Sequence, residues 1–263
     1  FGGSALVYKG SWKGATVAVK KSKIPAYYRD AESIEELIAE VNLQSKLRFP
    51  NIVTLLGACC TKNNIFIVME YVAGGSLDER LRKNPHLSKR FIMQIATDVA
   101  KGMTYLHSLE PPIIHRDLKP GNLLITNNNI IKITDFGTSR KLSVSEKMVT
   151  FNVGTTQYMA PEVIKKSLYT KKIDVYSYGV VLWQLVIGEP PYQNKEPMEV
   201  IQGVFTGELR DTLRNRLPSM EHKRLSRLIS KCINYSPDKR PSFEKILSQT
   251  QIMSPRLSST VYV

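Results

Sequence analysis

Four polar side chains stand beside two short apolar runs between residues 113 and 140, and their types suggest chemistry. They are Asp117, Lys119, Asn122 and Asp135. A structural explanation exists, because turns favour Asp and Asn for the hydrogen bonds that these side chains make to their own backbone. However, carboxylate and amide oxygens are also the ligands that Mg²⁺ takes together with phosphate oxygens and water. The sharper interpretation is that this cluster holds metal ions and a phosphate group.

The composition of the 263-residue chain is that of an ordinary folded protein, with 42% apolar and 23% charged residues. This length predicts one large domain or two closely packed lobes. No apolar run approaches the roughly 20 residues that span a bilayer, and the first residues carry no signal-peptide pattern. Cys59, Cys60 and Cys232 fit neither a disulfide framework nor a zinc-binding spacing. We therefore expect an intracellular, reducing location and no membrane segment in this chain.

The net charge of +14, from 37 Lys and Arg against 23 Asp and Glu, is compatible with an anionic partner. Nucleic-acid binding would require a basic stripe with interleaved aromatic residues. The basic residues instead occur as scattered pairs, such as Lys20–Lys21 and Lys171–Lys172. We expect no dedicated nucleic-acid binding, whereas attraction to polyanionic ligands such as nucleotides stays open.

The predicted elements change from strands to helices along the chain. Residues 5–21 read as a hairpin, residues 30–49 as an amphipathic helix, and residues 51–60 and 64–72 as two further strands. A glycine-containing segment at 73–77 is a candidate hinge.

The second part of the chain is mostly helical. Apolar periodicity predicts helices over residues 89–109, 172–188, 221–236 and 242–250. The short strands around the polar cluster lie between the first two of these helices.

Five motifs follow one another in an order typical of one family. They are "VAVK", "HRDLKPGN", "DFG", "APE" and "DKRP". The chain thereby resembles a eukaryotic protein kinase domain over nearly its whole length. The stretches "LLGACC", "MEYVAGGSL" and "DVYSYGVVLWQL" are similar to the tyrosine-kinase-like group, which includes the Raf, mixed-lineage and receptor-interacting kinases.

The resemblance implies an α+β fold with two lobes. Residues 1–72 would form a small, mostly β N-lobe with one main helix, residues 73–250 a larger, mostly α C-lobe, and residues 251–263 a loosely held tail. The phosphate-binding loop would begin before residue 1, since Gly2 matches its second glycine and Ala5 its third. We expect the chain to start inside that loop.

The resemblance also assigns a role to each member of the polar cluster. Asp117 would be the catalytic base that accepts the proton of the substrate hydroxyl, and Lys119 would neutralise the transferring γ-phosphate. Asn122 and Asp135 would bind Mg²⁺. A turn residue that bonds its own loop is the structural alternative for Asp117.

ATP would lie between the lobes. Lys20 resembles the strand lysine that holds the α- and β-phosphates, and Glu40 would pair with it, although a lysine at a strand end is otherwise usually a solvated edge charge. Met69 would occupy the gatekeeper position. The implied ATP-binding residues are Gly2, Val7, Ala18, Lys20, Met69, Glu70, Val72 and Leu124.

Two motifs imply that the substrate residues are serine and threonine. Lys119 belongs to the serine/threonine form of the catalytic loop, and Thr155 resembles the threonine that bonds near the catalytic Asp.

The competing hypothesis is a nucleotide-binding, pseudokinase-like scaffold. Two features favour it: the incomplete phosphate loop, and the polar Gln44 at a position that is apolar in the family. The intact Lys20, Glu40, Asp117, Asn122 and Asp135 favour the enzyme.

The segment between "DFG" and "APE" is rich in hydroxyl groups and predicts regulation. A phosphate on Thr150 would bridge Arg116 and Arg140 through charge-assisted hydrogen bonds, with Ser143 and Ser145 as the alternatives. This implies an upstream or trans-autophosphorylating kinase as a partner. Alternatively, acidic neighbours such as Glu146 already neutralise the arginines.

Three further matches imply structural roles. Glu162 should pair with Arg240, and Asp174 should bind the backbone around His115 and Arg116. His115 itself is expected to be a packed core residue, because a catalytic histidine would need its own oriented partner.

Overall fold

The structure is a computed structural model that describes residues 6–23, 41–61, 64–136, 139–141, 153–165, 167–218 and 223–253. Several predicted positions lie outside these residues: Gly2, Glu40, Ser143, Ser145, Glu146 and Thr150.

Four antiparallel strands form the N-terminal sheet, in the order β1-β2-β4-β3. They are β1 (Leu6–Trp12), β2 (Ala15–Lys23), β3 (Leu55–Cys60) and β4 (Asn64–Glu70). Lys13 and Gly14 make the predicted hairpin turn with φ values of 50° and 79°, because a two-residue turn with positive φ matches the twist of the strands. The predicted strands over 51–60 and 64–72 are shorter than expected at one end each.

The late start of β3 has a physical cause. The backbone of residues 51–53 bonds to a strand of the C-terminal part instead of to β4. Val53 N donates to Ile133 O at 2.9 Å, and Ile133 N donates to Asn51 O at 2.8 Å. This segment therefore attaches the N-terminal sheet to the helical part.

The helical part contains long buried helices. The helices of this part are α1 (Leu77–Lys83), α2 (Lys89–Ser108), α3 (Pro161–Ile164), α4 (Lys172–Ile187), α5 (Pro197–Thr206), α6 (Glu208–Asn215), α7 (Lys223–Cys232) and α8 (Phe243–Met253). Of the helix predicted over residues 30–49, the structure describes residues 41–45 as helical. Every residue from Ile173 to Leu185 is buried, so α4 is the central helix, since a helix that is apolar all round packs on every side. Helix α8 continues past its predicted end at residue 250, to Met253.

Two small two-stranded sheets belong to the C-terminal part. Strands β6 (Leu123–Ile125) and β7 (Ile131–Ile133) pair antiparallel, as do β5 (Ile113–Ile114) and β8 (Arg140–Lys141). Because one strand of an antiparallel pair begins where the other ends, the residue before β6 lies next to the residues after β7.

The buried hydrophobic residues fall into two clusters, a small one beneath the N-terminal sheet and a large one in the helical part. The predicted α+β, two-lobed architecture is confirmed. The lobe boundaries at residues 72 and 250 stay predictions. In the described part of the chain, no helix is both long and apolar enough to cross a bilayer.

A buried ion pair ties α3 to the C-terminal end of the fold. Arg240 donates from Nη1 to Glu162 Oε1 at 2.6 Å and from Nη2 to Glu162 Oε2 at 2.8 Å. The same guanidinium donates to three backbone carbonyls, those of Asn234, Lys172 and Tyr235. Its charge and its N–H groups are therefore compensated inside the core.

We expect Glu162→Ala to lower the free energy of unfolding by about 3–5 kcal/mol, because it leaves the Arg240 charge buried without its partner. Glu189→Ala is the control, since Glu189 and Arg216 form an ion pair with side chains 47% and 46% exposed. That variant should lose at most about 1 kcal/mol. Chemical denaturation followed by the fluorescence of the buried Trp183 measures both. Equal losses in the two variants would contradict the role of the buried pair.

Candidate active site

A cavity of about 560 Å³ opens between the N-terminal sheet and the β6–β7 pair. Its lining includes every predicted nucleotide-binding residue that the structure describes and both predicted metal ligands: Val7, Ala18, Lys20, Met69, Glu70, Val72, Leu124, Asn122 and Asp135. The structure thus brings together residues that lie far apart in the sequence.

Strand register explains how the upper wall forms. Ala18 and Lys20 are two residues apart on β2, so their side chains point to the same face of the sheet. Val7 pairs with Lys20 across β1–β2, and Met69 pairs with Ala18 across β2–β4. Leu124 on β6 lines the opposite side.

Lys20 reaches from this wall to the far side of the cavity. Its Nζ lies 2.7 Å from Asp135 Oδ1, with the two side chains 18% and 41% exposed. An ammonium group is thereby held beside one of the two predicted metal ligands. The predicted pair between Lys20 and Glu40 involves a residue outside the described part of the chain and stays a prediction.

The carboxylate of Asp117 is held asymmetrically. Its Oδ2 lies 2.7 Å from Lys119 Nζ and accepts from Asn122 Nδ2 at 2.9 Å. Asn122 Nδ2 also donates to the Asp117 carbonyl oxygen at 2.7 Å. Asp117 Oδ1 is buried and has no hydrogen-bond partner among the residues that the structure describes. Because an unsatisfied buried acceptor is costly, this oxygen is suited to bind a ligand hydroxyl.

The donor set at the end of the β6–β7 pair fits a magnesium ion with bound phosphate. Asn122 precedes β6, Asp135 follows β7, and Thr134 N donates to Asn122 O at 3.0 Å. Since the Asn122 amide nitrogen is engaged with Asp117, its amide oxygen is the atom that can bind a metal. No group of three or more His, Cys, Asp and Glu side chains that could hold a metal occurs among the described residues. A magnesium ion here would complete its shell with phosphate oxygens and water, as is usual for this ion.

A second buried aspartate supports the loop that carries Asp117. Asp174 accepts from His115 N and from Arg116 N, each at 2.9 Å, as the motifs predicted. Arg116 has a φ of 71°, which is uncommon for a residue with a side chain and requires support from its surroundings. The third contact of Asp174, with His107, was not anticipated. Only the place of His107 on the inner face of a predicted helix could have indicated it.

Burial and hydrogen-bond donors change the pKa of the Asp174 carboxyl in opposite directions. Complete burial raises its pKa, but the hydrogen bond and charge of His107 and the backbone donor of Arg116 outweigh that effect, so the net pKa is lowered. The carboxylate therefore stays ionised inside the core.

His115 is packed as expected for a core residue. It is fully buried and lies edge-on to Phe136, with ring centroids 5.4 Å apart. Asp117 N donates to its Nδ1 at 3.3 Å, and its Nε2 lies 3.0 Å from Thr134 O. The ring connects the residue before Asp135 with Asp117.

Glu70 makes contacts that the sequence did not indicate. Its Oε1 accepts from Lys132 Nζ at 2.8 Å and from Thr54 N at 2.7 Å. Partial burial raises the pKa of Glu70, but the contacts with Lys132 and Thr54 lower it overall. The side chain therefore links β4 to β7 behind the cavity, while Glu70 N donates to Thr54 O. The predicted hinge contacts to adenine would use backbone groups of Glu70 and Val72.

Gln44 has found a partner for its polar group. The side chain is 2% exposed, and its Nε2 lies 3.8 Å from Met69 Sδ. A buried amide that contacts the thioether at the back of the cavity costs less than an unsatisfied one. Gln44 therefore carries less weight for the scaffold hypothesis than its position alone suggested.

The predicted regulatory residues are only partly described. The guanidinium carbon of Arg116 lies 5.7 Å from the centre of the Tyr169 ring, and the backbone of Arg140 pairs with Ile114. Thr150, Ser143 and Ser145 lie outside the described residues, so the phosphate bridge stays a prediction.

Comparisons with known proteins agree with this geometry. Residues 1–252 match the protein kinase domain family. The chain is 38% identical over 256 residues to the probable serine/threonine-protein kinase drkC of Dictyostelium discoideum, covering 96% of this chain and 33% of that protein. It is 40% identical over 264 residues to mitogen-activated protein kinase kinase kinase 10 of Mus musculus, covering 96% and 27%. It is 37% identical over 273 residues to the serine/threonine-protein kinase VIK of Arabidopsis thaliana, covering 98% and 61%.

The chain thus spans less than two thirds of the length of each of these relatives. The resemblance to serine/threonine kinases of the tyrosine-kinase-like group is confirmed. With the family matched over nearly the whole chain and the two-lobed fold around the cavity, the chain belongs to the protein kinase family.

Proposed function

We propose that this domain transfers the γ-phosphate of ATP to serine and threonine hydroxyls of protein substrates, with Mg²⁺ as the metal. The observation that carries the proposal is the Asp117 carboxylate, which has one oxygen fixed by Lys119 and Asn122 and the other buried without a partner among the described residues. Asn122, which holds Asp117, lines the same cavity as Lys20 and Asp135.

Phosphoryl transfer depends on positioning and on charge stabilisation, so each residue has a simple task. Asp117 Oδ1 holds and orients the substrate hydroxyl and takes its proton as the new O–P bond forms. Lys119 neutralises the charge of the moving phosphoryl group. Lys20 holds the α- and β-phosphates, and the bond from the γ-phosphorus to the bridging oxygen breaks so that ADP leaves. Bound Mg²⁺, on Asn122 and Asp135, would neutralise phosphate charge.

The choice of serine and threonine is supported by the catalytic-loop form around Lys119 and by the motif that contains Thr155. It is also supported by the relatives named as serine/threonine-protein kinases.

Control by the segment between "DFG" and "APE" is part of the same proposal. Phosphate on Thr150, or else on Ser143 or Ser145, would bridge Arg116 and Arg140. The phosphate would come from an upstream kinase or from a second copy of this domain.

The cysteine pattern supports an intracellular location for this domain. The substrates of the whole protein would then be intracellular proteins.

Asp117→Asn should abolish phosphoryl transfer and leave ATP affinity within a few-fold, because Asp117 orients the hydroxyl and does not hold the nucleotide. The control is Asp211→Asn, an exposed aspartate that pairs with Arg210. Single-turnover kinetics and calorimetric ATP binding are the measurements. Equal transfer rates for Asp117→Asn and the unaltered chain would remove Asp117 from the mechanism.

Phosphoamino-acid analysis of a generic protein substrate should find phosphoserine and phosphothreonine, with at most minor phosphotyrosine. The reason is the serine/threonine form of the catalytic loop, in which Lys119 Nζ lies 2.7 Å from Asp117 Oδ2. A predominance of phosphotyrosine would overturn the substrate class.

Met69→Thr should tighten the binding of ATP-competitive inhibitors that require space behind the nucleotide by tenfold or more, about 1.4 kcal/mol. The long thioether of Met69 lines the back of the cavity, and threonine would shorten it. Met198→Thr is the control, since Met198 is exposed and lies outside the cavity lining. Inhibitor titrations measure the change, and an affinity unaltered by Met69→Thr would count against the gatekeeper assignment.

A further inference from the structure

His107 is a buried histidine that no motif accounts for. It lies near the C-terminal end of α2, is 3% exposed and packs edge-on against Phe243, with ring centroids 5.0 Å apart. Its Nε2 lies 2.8 Å from Asp174 Oδ2. Because an ionised carboxylate only accepts hydrogen bonds, the proton of this contact sits on His107 Nε2.

The contact completes the surroundings of the Asp174 carboxylate. Oδ1 accepts from Arg116 N, whereas Oδ2 accepts from both His115 N and His107 Nε2. The carboxylate is fully buried, so its ionised form depends on these donors. The lowered pKa of Asp174, which the imidazole helps to produce against the effect of burial, agrees with this geometry.

The catalytic loop depends in turn on the same carboxylate. Both backbone donors belong to the two residues immediately before Asp117, and one of them, Arg116, has a positive φ. If the Nε2 donor is removed, Oδ2 keeps the His115 N donor in a dry site. The carboxylate then turns or binds a proton, and its hold on the His115 and Arg116 amides weakens.

We propose that His107 is a positioning residue for phosphoryl transfer, acting through Asp174 to place the Asp117 carboxylate. The inference rests on the proposed function. His107 is not among the residues that line the cavity, so its effect passes through the loop backbone.

A structural role and a positioning role predict different kinetics. If His107 only packs the core, its replacement lowers thermal stability and the fraction of active protein, and the surviving protein keeps its kcat. If His107 positions the loop, kcat falls in fully folded protein. The KM for ATP stays unchanged, because Lys20 and the upper wall of the cavity are unaffected.

Two amide variants that differ by one methylene separate these roles. His107→Gln places its Nε2 donor near the position of the imidazole Nε2. His107→Asn carries the same group on a side chain too short to reach Asp174. The matched control on the same helix is Thr104→Val, which replaces a buried hydroxyl that has no hydrogen-bond partner in the described structure.

The measurements are steady-state and single-turnover kinetics on the full chain with ATP, Mg²⁺ and a serine-containing protein substrate. Active-site titration and thermal melting check that each variant is folded. We expect kcat to fall at least about tenfold in His107→Asn, since a small misplacement of a reacting group has effects of this order. His107→Gln should stay within about threefold of the unaltered chain, Thr104→Val should be unchanged, and the KM for ATP should stay within about twofold throughout.

Equal kcat values for His107→Asn and the unaltered chain would overturn the inference. So would an equal fall in His107→Asn and His107→Gln, because the donor would then not matter. If the unaltered chain transfers no phosphate, the proposed function fails, and that result is distinct from both. If His107→Asn does not fold, full activity in His107→Leu, which lacks any donor, would still contradict the proposal, and a tenfold loss of kcat there would support it.

Discussion

The buried carboxylate of Asp174 is the constraint on which the loop that carries Asp117 depends. It lies at the start of the central helix α4, which is packed on every side, so its position is fixed by the core of the helical part. Its three donors come from the loop backbone and from α2. The loop can therefore adopt the uncommon conformation at Arg116, since the hydrogen bonds to Asp174 compensate for its cost.

Around this anchor, simple geometry assembles the rest of the site. The antiparallel β6–β7 pair places Asn122 beside Asp135, and Asn122 then fixes the Asp117 carboxylate. The upper wall of the cavity comes from the N-terminal sheet. Residues 51–53 attach this sheet to β7 by backbone hydrogen bonds. Lys20 thus meets Asp135 across the cleft. Glu70 adds a further link, through Lys132, between β4 and β7.

The features that depend on residues close together in the sequence could be predicted from the sequence. The turn at Lys13–Gly14, the long helices and the contiguous cluster from Asp117 to Asp135 follow from turn chemistry, apolar periodicity and motif spacing. The contacts of His107 with Asp174 and of Glu70 with Lys132 join residues 67 and 62 positions apart. Nothing in the residues themselves selects those partners before the fold brings them together. Gln44 was only partly predictable. The sequence shows that a polar residue stands at a position that is apolar in the family. Its contact with Met69, however, depends on how residues 41–45 pack against β4.

The central claim is that the polar cluster between the lobes performs phosphoryl transfer. The most direct test is a single turnover with the domain in excess over γ-³²P-labelled ATP and a protein acceptor, with Mg²⁺ or with a chelator. We predict that label passes from ATP to the acceptor with Mg²⁺ and stays on ATP with the chelator. ATP that binds in the cavity with Mg²⁺ but passes no label to the acceptor would contradict the account.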